Sequence, residues 1–221
     1  MTEDKKLLRV AIDGPSGSGK STVAKLIAKE YGMDYVDTGA MYRAMGLKIK
    51  RTGITCEDGP EMDELLESTV IDFSGNKIFL DGEDVSELIR TQEISMMASE
   101  CSALPSVRNK LATLQQEMGA SKSVVMDGRD ICSVVMPDAE YKFFVTASPE
   151  ERAMRRYKEL IGRGENPEYE TILKEINERD YNDTHRDVNP LKQTEDAVLV
   201  DTTEMDIDQV VSTIKGIIGD R

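Results

Sequence analysis

Short apolar runs that end at glycines or turn residues alternate along this chain with segments whose apolar residues recur every three or four positions. Leu7 to Asp13 is rich in β-formers, and behind it Val23, Leu26, Ile27 and Tyr31 share one helical face, so the opening reads strand, loop, helix. Met33 to Asp37 predicts a second strand, and a helix begins near Thr38 and is punctuated by Gly53. Between residues 70 and 86 the texture changes to short strands joined by Ser74-Gly75-Asn76 and Asp81-Gly82, a small antiparallel insertion in which Asp-Gly is the stronger turn signal. Helical spacing returns from Gln92, and Pro105 opens a helix striped by Val107, Leu111, Leu114 and Met118. Further strands are predicted at Ser123 to Asp127, Glu140 to Ala147 and Ala197 to Asp201. Ser148-Pro149-Glu150-Glu151 is a capping-box start for a helix reaching Ile161; Tyr169 to Asp180 is helical again, and Ile207, Val210, Val211, Ile214 and Ile218 stripe a last helix. The fold class that follows is α/β: a five-stranded parallel sheet covered by helices, plus the antiparallel insertion.

Composition narrows the function classes. At 221 residues one domain is expected. Lys plus Arg number 28 against 42 Asp plus Glu, and a net charge of −14 repels nucleic-acid backbones and anionic membranes, so neither polymeric nucleic acid nor membrane is an expected partner. Cys56, Cys101 and Cys132 form no Cys-x-x-Cys pair and read as reduced, small apolar residues. The one histidine, His185, sits in the polar stretch Asp183-Thr184-His185-Arg186-Asp187 and is expected at the surface, which leaves no material for a His-built zinc site or Ser-His-Asp chemistry. Residues 1–6 are polar after Met1, and no run approaches the roughly 18 apolar residues of a membrane span, so neither signal peptide nor anchor is expected. A cytoplasmic monomer is the expectation.

Candidate chemistry starts at Gly14-Pro15-Ser16-Gly17-Ser18-Gly19-Lys20-Ser21, which fits the phosphate-loop pattern and stands between a strand and an amphipathic helix, as that pattern requires. Glycines let backbone N–H groups turn inward around phosphate oxygens, and the helix N-terminus adds partial positive charge. Gly14 through Ser21, with Thr22, is therefore the expected ATP site; Lys20 is expected on the β- and γ-phosphates and Ser21 on Mg²⁺. Such a loop leaves the acceptor open. The guanine-reading Asn-Lys-x-Asp is not met by Asn76-Lys77-Ile78-Phe79 or Asn109-Lys110-Leu111-Ala112.

Asp37-Thr38-Gly39-Ala40-Met41-Tyr42-Arg43 offers a hydroxyl, a ring and a guanidinium at the carboxyl end of a strand, where open α/β sheets bind ligands. Asp127-Gly128-Arg129-Asp130, Glu178-Arg179-Asp180 and Asp183-x-x-Arg186 bring Arg and Asp together again after other elements. Taken alone, these residues suit CMP, AMP, UMP or a non-nucleotide metabolite. A non-catalytic ATP-binding sensor is the rival from another class, and the presence of both Lys20 and Ser21 argues against it.

Across these segments, and at Ile89-Arg90-Thr91-Gln92-Glu93, the chain closely resembles bacterial cytidylate kinases, a family of P-loop nucleoside monophosphate kinases; the likeness runs over nearly the whole chain. The resemblance implies a single kinase domain over residues 1–221, a monophosphate-binding region over 38–118 that contains the insertion at 68–86, and a helical lid over 150–175. It implies ATP-dependent, Mg²⁺-assisted phosphorylation of CMP and dCMP to CDP and dCDP in pyrimidine metabolism. By the same resemblance Thr38, Arg43, Arg129 and Arg186 grip the acceptor phosphate with Tyr42 in the same site. Arg179 with Asp183 holds the sugar, and Ser99, Arg108 and Asp130 read cytosine. The implied catalytic set is Lys20, Arg129, Arg155 and Arg156. Lid candidates are Arg152, Arg155, Arg156 and Arg163, of which Arg155 and Arg156 are expected on ATP or the transferring phosphate, with Gly162 and Gly164 as hinges.

The base assignment is chemically consistent, because cytosine presents an N4 amine donor beside N3 and O2 acceptors and a carboxylate with an arginine complements them. CMP is expected over UMP. A phosphate monoester with its second pKa near 6 arrives as a dianion at neutral pH, so no general base is required.

Overall fold

The structure is a computed structural model in which residues 7–75 and 77–219 are described; the expected polar N-terminal segment and Asn76 of the expected turn lie outside them. The described residues form two compact units, 7–34 with 122–219, and 35–75 with 77–121.

The expected five-stranded parallel sheet is present. Its strands are β1 (Arg9–Asp13), β2 (Asp34–Asp37), β6 (Val124–Gly128), β7 (Tyr141–Thr146) and β8 (Val198–Asp201), in the order β2-β6-β1-β7-β8. Burial explains the order. Every residue of β6 is buried and β1 exposes only part of Arg9, as central strands covered on both faces require, whereas β8 at the edge buries Val200 alone. Register runs from Arg9 opposite Val124 to Asp13 opposite Gly128, which brings Asp13 and Asp127 to the carboxyl end of the sheet together.

Around this sheet in the first unit lie α1 (Lys20–Glu30), α6 (Pro149–Gly162), α7 (Tyr169–His185) and α8 (Ile207–Ile218). Val23, Ala24, Ile27 and Ala28 form the buried face of α1, so Leu26, expected in the stripe, is exposed instead. Val210, Ile214 and Ile218 seat α8, whose start is held by the reciprocal Asp206–Gln209 capping box. Ser148 caps α6 through the amide of Glu151, as its sequence predicts. α6 and α7 pack through Ala153, Ile172 and Ile176, with Tyr157 set edge-on to Tyr169 at 6.3 Å. α7 continues five residues past the expected end at Asp180. Its last turn is polar and solvated, which gives no apolar spacing to read, but Thr184 Oγ donates back to the Asp180 carbonyl.

The second unit contains α2 (Thr38–Thr52), α3 (Pro60–Glu67), β3 (Ile71–Ser74), β4 (Lys77–Leu80), β5 (Glu83–Asp84), a 3₁₀ turn (Leu88–Arg90), α4 (Gln92–Cys101) and α5 (Pro105–Ser121). The three short strands make the expected antiparallel insertion. Asp81 and Gly82 take φ of 52° and 86°, the pair of positive values that a two-residue primed hairpin needs. α2 and α4 approach so closely at Gly46 that a Cβ there would stand 3.0 Å from the Ala98 nitrogen. α3 was not expected, and it buries Met62, Leu65 and Leu66. On α5 the buried face is Val107, Arg108, Leu111, Gln115 and Gly119, so the expected Leu114 and Met118 are only half-buried and two polar side chains take the core positions.

Among the described residues no helix is long and apolar enough to cross a membrane. Cys101 and Cys132 are buried and Cys56 partly so; burial pushes the Cys56 thiol up to about 11 and that of Cys101 to about 12.

Candidate active site

Backbone geometry builds the phosphate loop before any side chain contributes. Gly14 passes β7 so closely that a Cβ would lie 1.9 Å from the Val145 carbonyl oxygen, while Gly17 and Gly19 occupy the left-handed region at φ 78° and 88°. Gly19 is the N-cap of α1 and accepts from the amides of Thr22 and Val23, so the loop feeds directly into a helix N-terminus, a ready anion site.

Lys20 is buried and its Nζ donates to the Pro15 carbonyl at 3.0 Å. Loss of water lowers its pKa to about 7, and the positive charges of Arg129 and Arg179 push the same way against Asp127 and Asp183. Ser21 Oγ donates to Asp127 Oδ2 at 2.6 Å. Ser16, Gly17, Ser18 and Thr22 complete the loop; Ser18 is buried and its carbonyl accepts from Thr202 Oγ at 3.2 Å.

Beyond β6 the chain turns through Arg129 and Asp130 into a π-helical turn, Ile131–Val135. That turn was not expected from sequence, and its cause is Asp13, whose two carboxylate oxygens accept from the amides of Ile131 at 2.9 Å and Cys132 at 2.8 Å. Burial raises Asp13 to about 6, although those two amides work against the rise. Arg129 Nε donates to Asp183 Oδ2 at 2.7 Å, and Arg186 lies 3.5 Å from the other oxygen of the same carboxylate. Burial opposes ionisation of Asp183, yet Arg129, Arg179 and Arg186 outweigh it and hold the carboxyl below its ordinary range. Arg186 also donates to the carbonyl of Asn189, which itself sits at φ 50°.

The lid candidates on α6 separate sharply. Arg155 donates Nε to Glu151 at 3.0 Å, Nη1 to Thr202 Oγ at 3.1 Å and Nη2 to the Thr202 carbonyl at 2.7 Å. Its in-plane edges are thus engaged, and it lines a pocket of about 370 Å³ with Ser18, Gly19, Thr22, Met205 and Val210 among the walls. Arg156 and Arg163 both pair with the exposed Glu159, away from that pocket wall. Arg152 is buried beneath the loop. Gly164 adopts φ 79° directly after α6.

Thr38, Tyr42, Arg43, Ser99 and Arg108 belong to the second unit. Asp37 caps α2 by accepting from the Ala40 amide at 2.8 Å and pairs through its other oxygen with Arg43 at 3.1 Å; Thr38 is buried in the first turn. The Arg108 guanidinium stands 5.6 Å from the centre of the Tyr42 ring and donates to the Ser102 carbonyl at 3.0 Å. Ser99 is exposed on α4. His185 is exposed and stacked on Tyr181 at 4.1 Å.

Sequence reasoning missed the parts played by three residues and one segment. Asp127 was inside a quoted motif, but its pairing with Ser21 spans 106 positions. Asp13 looked like a strand terminus, Arg152 like one lid arginine among several, and Thr202 to Val210 carried no motif.

Among the described residues no group of three or more His, Cys, Asp or Glu could hold a metal ion unaided. What the loop offers is a hydroxyl and a carboxylate in contact, a hard-oxygen set suited to a cation that keeps waters and takes its remaining ligands from phosphates.

A family model described as cytidylate kinase matches residues 10–219. The cytidylate kinase of Caldanaerobacter subterraneus subsp. tengcongensis is 50% identical over 207 residues, covering 94% of this chain and 92% of the relative. That of Carboxydothermus hydrogenoformans is 48% identical over 216 residues, covering 96% and 97%. Among solved structures a shikimate kinase from Bacteroides thetaiotaomicron aligns with a TM-score of 0.50 at 13% identity over 96% of this chain and 98% of that one, a likeness of fold.

Proposed function

The chain belongs to the cytidylate kinase family, and from that premise we propose that it transfers the γ-phosphoryl group of ATP to CMP and dCMP, producing CDP and dCDP for pyrimidine nucleotide metabolism. The observation that carries the proposal is the geometry at Lys20: a lysine buried at the head of the phosphate loop with its Nζ on the Pro15 carbonyl, next to Ser21 paired with Asp127. A cation so placed is incomplete without an anion, and two phosphates brought side by side supply one.

Gly14 through Thr22 bind the ATP phosphates, and the pocket walled by Arg155, Met205 and Val210 receives the donor base. Ser21 and Asp127 would hold Mg²⁺, which when bound screens the repulsion between the two polyanions. Lys20, Arg129, Arg155 and Arg156 form the catalytic set. Thr38, Tyr42, Arg43, Arg129 and Arg186 take the acceptor phosphate, Arg179 and Asp183 the sugar, and Ser99, Arg108 and Asp130 the cytosine edge. Residues 38–118 act as the monophosphate-binding region, including 68–86, and residues 150–175 as a lid hinged near Gly162 and Gly164 that excludes water. A cytoplasmic monomer completes the proposal.

Because CMP brings its nucleophilic oxygen already deprotonated, these residues have only to align and to neutralise, which a chain with one surface histidine can do. Coupled ADP-release assays across CMP, dCMP, UMP, AMP and GMP test it. CMP and dCMP are expected to be fastest with CDP and dCDP as products; equal rates with AMP would remove the base-reading residues from the proposal, and ATP binding without transfer to any acceptor would return the sensor.

A further inference from the structure

Arg152 joins three segments of the first unit, the end of β7, the phosphate loop and α7. It sits on the first turn of α6 with its side chain buried. Its Nε donates to the Ala147 carbonyl at 2.9 Å, where β7 ends. Its Nη1 donates to the Ser16 carbonyl at 3.1 Å, inside the phosphate loop. Nη1 and Nη2 then meet the two oxygens of Asp180 at 3.0 and 2.5 Å, a two-pronged pair in which the planar guanidinium leaves its partner little freedom. The loop also rests on the stem of this residue, since a Cβ on Gly17 would be 3.3 Å from Arg152 Cβ. Asp180 follows Arg179 on α7 and precedes Asp183 by one turn, and both of those neighbours act on the charge of Lys20.

We infer that the Arg152–Asp180 pair is a positioning element for phosphoryl transfer: it fixes the phosphate loop against the face of α7 that carries Arg179 and Asp183. The inference rests on the proposed reading of that face as acceptor-binding. Transfer between two bound phosphates depends steeply on their alignment, and a shift of about 1 Å can cost about a hundredfold in rate. A pair that holds the carbonyl of Ser16 and the backbone of α7 through one rigid group limits that shift. Neither residue need contact ATP or CMP for this effect, which separates Arg152 from Arg155 on the same helix.

The test is kinetic, on the full chain. Asp180→Asn keeps the shape but replaces one acceptor by a donor facing Nη2. It is expected to lower kcat by about ten- to a hundredfold, with KM for ATP and for CMP each within about threefold, and to raise the ratio of acceptor-independent ATP hydrolysis to transfer. Arg152→Lys can keep one contact to Asp180 but not the Ala147 and Ser16 carbonyls as well, and should fall between parent and Asp180→Asn. Turnover within twofold of the parent in both variants overturns the inference, as does a raised KM for CMP at unchanged kcat, which would make Asp180 a substrate contact. Loss of the folded circular-dichroism signal in both variants overturns it too, by making the pair a requirement of the fold. Should the parent prefer another acceptor, the cytidylate reading fails at that step, and the same kcat comparison with the preferred acceptor still judges the pair.

Discussion

The phosphate loop and the helical second unit keep their charged groups in opposite conditions. In the loop, Lys20 is stripped of water and leans on one backbone carbonyl, so its charged form is held at a disadvantage. In the second unit, Arg43 has a carboxylate beside it and Arg108 has a ring face and a carbonyl. The first arrangement gains most from an arriving anion, and in the second each guanidinium already has a partner within its own unit. Turnover should therefore concentrate in the loop, while residues 35–121 contribute recognition.

Lys20→Ala gives the sharpest separation. It should lower kcat at least about a hundredfold with every accepted acceptor, since on the proposed reading it deletes the charge that meets the transferring group. A loss confined to CMP would break the contrast. Asp130→Ala lies on the first unit yet is assigned to the base, and it should lower the CMP-over-UMP ratio of kcat/KM by at least about tenfold while kcat with CMP changes less. Unchanged discrimination would take Asp130 out of base reading. Tyr42→Leu removes the ring under Arg108, a contact worth about 0.5–2 kcal/mol, and should raise KM for CMP about two- to thirtyfold without altering KM for ATP.

The smallest effect concerns protons. Free Lys20 titrates at about 7 and is therefore mostly neutral at pH 8, whereas triphosphate oxygens favour its charged form. ATP binding at pH 8 should take up a fraction of a proton, seen by calorimetry in buffers of different ionisation enthalpy. Lys20→Ala should abolish that uptake, and proton release by the parent would reverse the assignment.

How much of this was legible in sequence follows from how far apart the causes lie. The phosphate loop is contiguous, and each of its glycines answers to a backbone condition within the loop or at β7, so its pattern could be read directly. The Asp81-Gly82 turn was readable for the same reason. The π-helical turn after Asp130 was not, because it is organised by a carboxylate 118 positions earlier in the chain. Nor was the buried face of α5, where Arg108 and Gln115 occupy places that apolar periodicity assigns to Leu114 and Met118. α3 is eight residues long and half of them are acidic, too short a stretch for its three buried apolar residues to stand out. Within the site, residue types were legible and pairings were not: Ser21 with Asp127, and Arg152 with Asp180, join segments with no common motif.

Gly14 also limits what mutation can explore. The Val145 oxygen stands where any side chain would begin, and neither partner is a flexible tip that could swing aside. In a library saturating every glycine codon and screened only for soluble protein, with no nucleotide required, codon 14 should already collapse to glycine. Codon 53, left-handed but open on all sides, should admit asparagine. Part of the nucleotide-binding signature is in this sense maintained by the sheet, and would persist in a descendant that no longer used ATP.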